Sequence, residues 1–131
     1  EFPGVKIHGT FAMPTDPHTD LNHMGFVFEF ANGIKIWLTG DTDYTDLLAG
    51  VERHQPLVML TCINGGYNNL SHWEAAEVAR LVKPKVAIPC HYDMFPDNSC
   101  EPHMFRASLA LRAPDVRYQE LRHFEPFLVR R

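Results

Sequence analysis

At 131 residues, with 45% hydrophobic and 21% charged positions, the sequence has the make-up of a single globular domain. Such a chain buries roughly two-thirds of its unfolded surface. A formal charge of −4 and a pI near 6.0, with no Lys/Arg cluster, argue against nucleic acid as a partner. Runs such as residues 57–60 are far too short to span a bilayer, and no charged stretch leads into an apolar one as in a signal peptide. Three cysteines (Cys62, Cys90 and Cys100) without metal-type spacing suit a reducing cytoplasm.

In chain order, residues 5–8 have the character of a short strand. Residues 11–23 (FAMPTDPHTDLNH) carry two prolines and several Asp, Asn and His, so they suggest a polar excursion. Residues 24–30 (MGFVFEF) and 34–39 (IKIWLT) flank Asn32-Gly33, a hairpin turn signal. After Gly40-Asp41-Thr42, residues 45–53 place Leu47, Leu48 and Val51 at helical spacing. Residues 57–63 (LVMLTCI) form a buried strand that breaks at Asn64-Gly65-Gly66.

Ser71-His72-Trp73-Glu74 is a capping box, opening a helix that must stop before Lys83-Pro84. Residues 86–89 (VAIP) make another short strand, with His91 just past its end. A last helix starts at Glu101-Pro102 and runs to about 112. Weak strands at 118–121 and 126–129 close the chain. Strands and helices in this order make an α/β arrangement, a mixed sheet with helices against it.

Two strand ends share a feature. IWLTGDT ends with Asp41 and VAIPCH with His91, each a hard or borderline metal ligand. Neighbouring strands that present such residues at one rim form a natural cation site. Each residue also has a plainer role open to it: Asp41 as the N-cap of the following helix, His91 as a half-buried ring bonded to a carbonyl. The cation reading requires their side chains within about 8 Å of each other, because ligand bonds run only ~2.0–2.2 Å.

The pair T-G-D-T and I-P-x-H, each behind a strand, resembles the metallo-β-lactamase fold of metal-dependent hydrolases. More narrowly, NLSHWEAAEVARLVKPKVAIPCHYDMFPDNS and AMPTDPHTDLNHMGFVFEF resemble the L-ascorbate-6-phosphate lactonase subgroup. The resemblance covers residues 5 to about 112. It implies a four-layer αββα sandwich with a dinuclear Mn²⁺ or Zn²⁺ site, and a hydrolase acting on a lactone or ester of a sugar-acid phosphate. By the same resemblance Asp41 would bridge the two metals and position the attacking hydroxide, and His91 would be the last histidine ligand of the second metal. A further ligand would lie upstream of the hairpin: His18 has the best distance, His23 and His8 are rivals, and Asp16 could substitute. Asn64, Tyr92 and Asp93 could line a substrate pocket. Asn64 is also ordinary turn chemistry, Tyr92 a packing residue and Asp93 a cap for a turn over 94–98.

The family signature H-x-H-x-D-H does not occur in the sequence. Residues 1–131 are therefore expected to form one partial domain, the C-terminal half of the sandwich, with helices on one face of its sheet. Such a half would hold metal weakly and leave an apolar sheet face uncovered. A homodimer, or pairing with the missing N-terminal half, is expected to cover it. A catalytically inactive packing module is the alternative to the enzyme.

Overall fold

The structure, a computed structural model, describes residues 3–14 and 23–130. Its strands are β1 (Val5–Phe11), β2 (Met24–Phe30), β3 (Lys35–Leu38), β4 (Val58–Cys62), β5 (Val86–Cys90), β6 (Asp93–Phe95), β7 (Asn98–Ser99) and β8 (Arg117–Tyr118). Six of them form one sheet in the order β1-β2-β3-β4-β5-β8, while β6 and β7 make a separate small hairpin. β1, β2 and β3 are antiparallel neighbours, whereas β3, β4, β5 and β8 run parallel. Parallel neighbours need crossovers. Here they are a 3-10 segment (Asp46–His54), α1 (His72–Val82) and α2 (Pro102–Arg112).

The helix boundaries follow from local chemistry. Ser71 accepts from the Glu74 amide, and the Glu74 carboxylate accepts from the Ser71 amide at 2.9 Å, so the capping box closes. At the other end Lys83 takes a left-handed conformation ahead of Pro84. Glu77 then joins the two helices: it accepts from Arg80 at 2.7 Å and from Arg112 of α2 at 3.2 Å. These two guanidiniums, Arg80 foremost, hold the Glu77 carboxyl below the usual carboxylate range.

The period-2 pattern of the strands sorts their side chains onto two faces. Val27, Trp37, Met59 and Ala87 enter a core with Leu48, Ala75, Val78 and Phe105 from the helical segments. Trp37 is fully buried and its indole N–H donates to Thr10 at 3.1 Å, so its one polar group is satisfied. The alternate positions open onto the other face. There Val58, Val86 and Ile88 are covered by Phe127 and Val129. Toward the β1 edge that cover ends, and Ile7 and Met24 are each 50% exposed.

Several elements differ from expectation. β1 reaches Phe11 rather than stopping near His8, Ala12 is buried, and Met13 bridges to Asp43. The first proline in this region, Pro14, comes only after that bridge. The helix after the GDT loop is 3-10, and it contains Gly50, a poor α-helix former. Residues 94–98 belong to the β6–β7 hairpin instead of a simple turn, and Asp93 starts its first strand. Only Arg117–Tyr118 pairs at the far edge, and residues 126–129 form no strand. Pro126 has no N–H for a ladder, and the side chains that follow pack on the sheet.

Two stability changes follow. Ser71→Ala should cost about 1 kcal/mol by removing the cap, seen as a drop of a few degrees in the thermal midpoint by circular dichroism. Because the folded pKa of Glu77 is depressed, its contribution is complete above the unfolded carboxylate pKa near ~4.3 and fades as pH falls through the folded value. Glu77→Gln should therefore destabilise at pH 7 by no more than about 1 kcal/mol. It should also flatten the acid side of a urea-midpoint profile. An unchanged acid limb would show that the pair contributes nothing.

Candidate metal-binding rim

The tips of β3, β4 and β5 lie side by side because their register is continuous: Leu38 pairs with Leu60, and Leu60 with Ile88. Beyond β3 the ladder extends by one bond, Thr39 N–H to the Leu60 carbonyl at 3.0 Å. The chain then turns at Gly40, whose φ is +69°. A Cβ there would stand 2.8 Å from the Met24 carbonyl oxygen, so both the space and the backbone conformation require glycine. Thr42 is fully buried and ties the loop on two sides. Its hydroxyl accepts from the Met13 amide at 2.8 Å, and its carbonyl accepts from the Leu70 amide at 2.8 Å.

Asp41 stands at the apex of this anchored loop, its side chain 53% exposed. It does not cap the helix that follows; that role belongs to Thr45, whose hydroxyl accepts from the Leu47 amide. Asp41 is left facing the rim.

His91 reaches the same place from β5. It leaves the strand with φ +56°, a left-handed conformation that costs a non-glycine residue of order 1–3 kcal/mol and persists only where surroundings enforce it. The turn directs Nε2 to 3.8 Å from Asp41 Oδ2. The expectation of neighbouring strands needs correction: β4 lies between β3 and β5, and the two side chains meet across its tip. Among the described residues His91 Nδ1 is a buried ring nitrogen with no hydrogen-bond partner.

His23, at the start of β2, joins the rim through its Nδ1–H, which donates to the Asp41 carbonyl oxygen at 3.1 Å. In a neutral ring the lone pair is then on Nε2, as in metal-ligating histidines oriented by a backbone carbonyl. His18 and Asp16 lie outside the described residues. His8 is elsewhere: it pairs with Val27 in the middle of the β1–β2 ladder, bonds Glu29 at 3.1 Å and lies with its ring tilted against that of His54.

The donor set fits a cation in part. Two bonds of about 2.0–2.2 Å to one ion span up to ~4.2 Å, so the 3.8 Å between Asp41 and His91 suits a shared ion. A catalytic zinc takes three protein ligands. Among the described residues no group of three or more His, Cys, Asp or Glu is arranged to hold a metal.

The remaining rim residues are arranged around the tip of β4. Asn64 donates from Nδ2 to Asn98 at 2.8 Å and to the Gly66 carbonyl at 3.2 Å. Sequence reading missed Asn98, which looks like one more polar residue in the turn-rich run FPDNS. Tyr92 packs against the main core, and burial pushes its phenol pKa up. Asp93 is exposed. Cys62 and Cys90 pair across β4 and β5, and burial raises both thiols, Cys90 to about 12. A concavity of about 800 Å³ beside Val5, Ile7, Glu29 and Phe30 lies at the opposite end of the sheet.

No protein-family model matches the chain. A UPF0173 metal-dependent hydrolase of Archaeoglobus fulgidus is 40% identical over 93 residues, covering 70% of this chain and 39% of that protein. A second, from Anaeromyxobacter sp. strain K, is 37% identical over 111 residues, covering 83% and 38%. A Thermotoga maritima structure, described as a putative Zn-dependent hydrolase of the metallo-β-lactamase superfamily, is 34% identical with a TM-score of 0.63. It is matched over 80% of this chain and 52% of its own.

The chain has the metallo-β-lactamase fold, and over most of its length it is similar to part of the UPF0173 metal-dependent hydrolases. Igni18, a metallo hydrolase of Ignicoccus hospitalis, shares the fold with a TM-score of 0.78 at 23% identity, over 92% of this chain and 51% of Igni18. The chain thus spans about two-fifths of these curated relatives and about half of the solved structures.

Two outcomes are expected at the rim. Gly40→Ala should destabilise by about 1–2 kcal/mol through its left-handed φ and the Met24 contact, and should broaden the Asp41 and Thr42 amide signals in an NMR spectrum. Cys90, with its pKa raised, should resist iodoacetamide at pH 8 in the folded protein and react once unfolded in urea. Rapid modification of the native thiol would contradict that burial.

Proposed function

We propose that this chain supplies one side of the active site of a metal-dependent hydrolase, with Asp41 and His91 as metal ligands. The observation that carries the reading is their approach to 3.8 Å across the tip of β4, from loops that follow two different strands. The A. fulgidus and Anaeromyxobacter relatives are named metal-dependent hydrolases, and the T. maritima one Zn-dependent. Zn²⁺ and Mn²⁺ both suit a carboxylate–imidazole pair. When bound, a divalent cation supplies Lewis acidity and a water of lowered pKa. In this chain the Asp41 carboxylate and the His91 imidazole would hold the cation, with Asp41 Oδ2 also placed to take up a proton beside it. His23 holds the Asp41 backbone in place and is a candidate third ligand, alongside His18. The substrate class that fits the resemblance is a lactone or ester of a sugar-acid phosphate, with Asn64 at the pocket edge.

A second reading rests on the open sheet face. Ile7, Phe11 and Met24 are large apolar side chains exposed together at the β1–β2 edge, and contiguous patches of this kind are uncommon on monomers. The solved relatives carry about twice the length matched here. In this reading a second copy packs face to face on the sheet about a two-fold axis, and the isolated chain is an assembly module without turnover.

Calorimetry with Zn²⁺ and Mn²⁺ on the 131-residue chain tests the first reading. Weak binding is expected, lost by at least tenfold in Asp41→Asn and in His91→Ala. Equal affinity in all three proteins would remove both residues from the metal site. Sedimentation at micromolar concentration tests the second: a dimer that falls apart with Phe11→Asp is expected, and a monomer would rule it out.

A further inference from the structure

The left-handed backbone of His91 raises the question of what holds it. β5 ends at Cys90, and one residue after His91 the Tyr92 carbonyl accepts from the Cys100 amide at 2.9 Å, closing the base of the β6–β7 hairpin. The hairpin's position therefore sets where the chain goes after His91. Its anchor is Asn98. This side chain is only 5% exposed, and its amide oxygen accepts from Asn64 Nδ2 at 2.8 Å. Asn64 is itself held, bridged to Ser71 at the cap of α1 and bonded to the Gly66 carbonyl.

A second observation points to the same contact. A Cβ on Gly66 would overlap the Asn98 amide oxygen and stand 2.9 Å from its Cγ. The residue facing Asn98 must therefore lack a side chain. The sequence NGGYNN thus matches the hairpin it touches as well as its own turn.

We propose that Asn98 is a positioning residue for His91, tying the β6–β7 hairpin to the tip of β4 so that the imidazole is held toward Asp41. The inference takes from the preceding reading only that His91 is a ligand. The loss of the Asn98 acceptor, or a side chain on Gly66, should release the hairpin base and let the His91 backbone relax from its left-handed conformation.

Histidine-labelled protein, followed by NMR at fixed pH without metal, tests this. Asn98→Leu keeps the volume but removes the acceptor, and Gly66→Ala keeps the acceptor but displaces it. Both should shift the His91 ring signal and speed exchange of the Cys100 amide by about tenfold or more. The His8 and His54 signals, remote from the rim, should stay in place, which separates positioning from general unfolding. Asn98→Asp retains an acceptor for Asn64 and should leave His91 near its wild-type position. An unmoved His91 ring beside accelerated Cys100 exchange would overturn the proposal. Zn²⁺ added to the wild type gives the separate readout: a His91 signal indifferent to Zn²⁺ sinks the ligand assignment, while the variant shifts still judge the clasp.

Discussion

The parallel ladder of β3, β4 and β5 is the constraint on which the rest of the molecule depends. Leu38, Leu60 and Ile88 stand in continuous register, so three strands end at one level. Parallel strands return through crossovers, and the helical segments therefore lie on one face and the strand tips at one rim. The chemistry is a consequence of that geometry. Asp41 and His91 are 50 positions apart in sequence, yet 3.8 Å apart in space, because each follows a strand of the same ladder.

The rim is held by backbone more than by charge. Thr42 receives the Met13 amide, its carbonyl receives Leu70, and the Tyr92 carbonyl receives Cys100. These bonds connect the Asp41 loop to β1 and to the lead-in of α1, and close the hairpin that follows His91. Two residues with positive φ, Gly40 and His91, sit where these ties converge. A carboxylate held by its own backbone can remain half exposed without losing direction.

The two faces of the sheet have different fates. On the helical side Trp37, Met59 and Phe105 are fully buried, and the Trp37 indole N–H has a partner. On the other side the C-terminal residues Phe127 and Val129 cover the β4–β5 region, while the β1–β2 edge keeps Ile7, Phe11 and Met24 in solvent. In the solved relatives this chain matches about half of a larger fold.

Much was legible in the sequence where the interactions are local. The capping box and Lys83-Pro84 delimit α1, because cap bonds and the steric restriction before proline act within four residues. The alternation in MGFVFEF and the Asn32-Gly33 turn set β2 against β3, and the apolar runs at residues 57–63 and 86–89 marked two further strands. Asp41 and His91 stood out because each follows such a run directly. Tertiary structure alone decided that β4 lies between their strands, that Thr45 and not Asp41 caps the next segment, and that His8 is bound to Glu29 away from the rim. It alone paired Asn64 with Asn98, 34 residues away, and made Gly66 the residue beneath that amide. Strand order and side-chain contacts between distant segments depend on how the whole chain packs, and no local spacing records them.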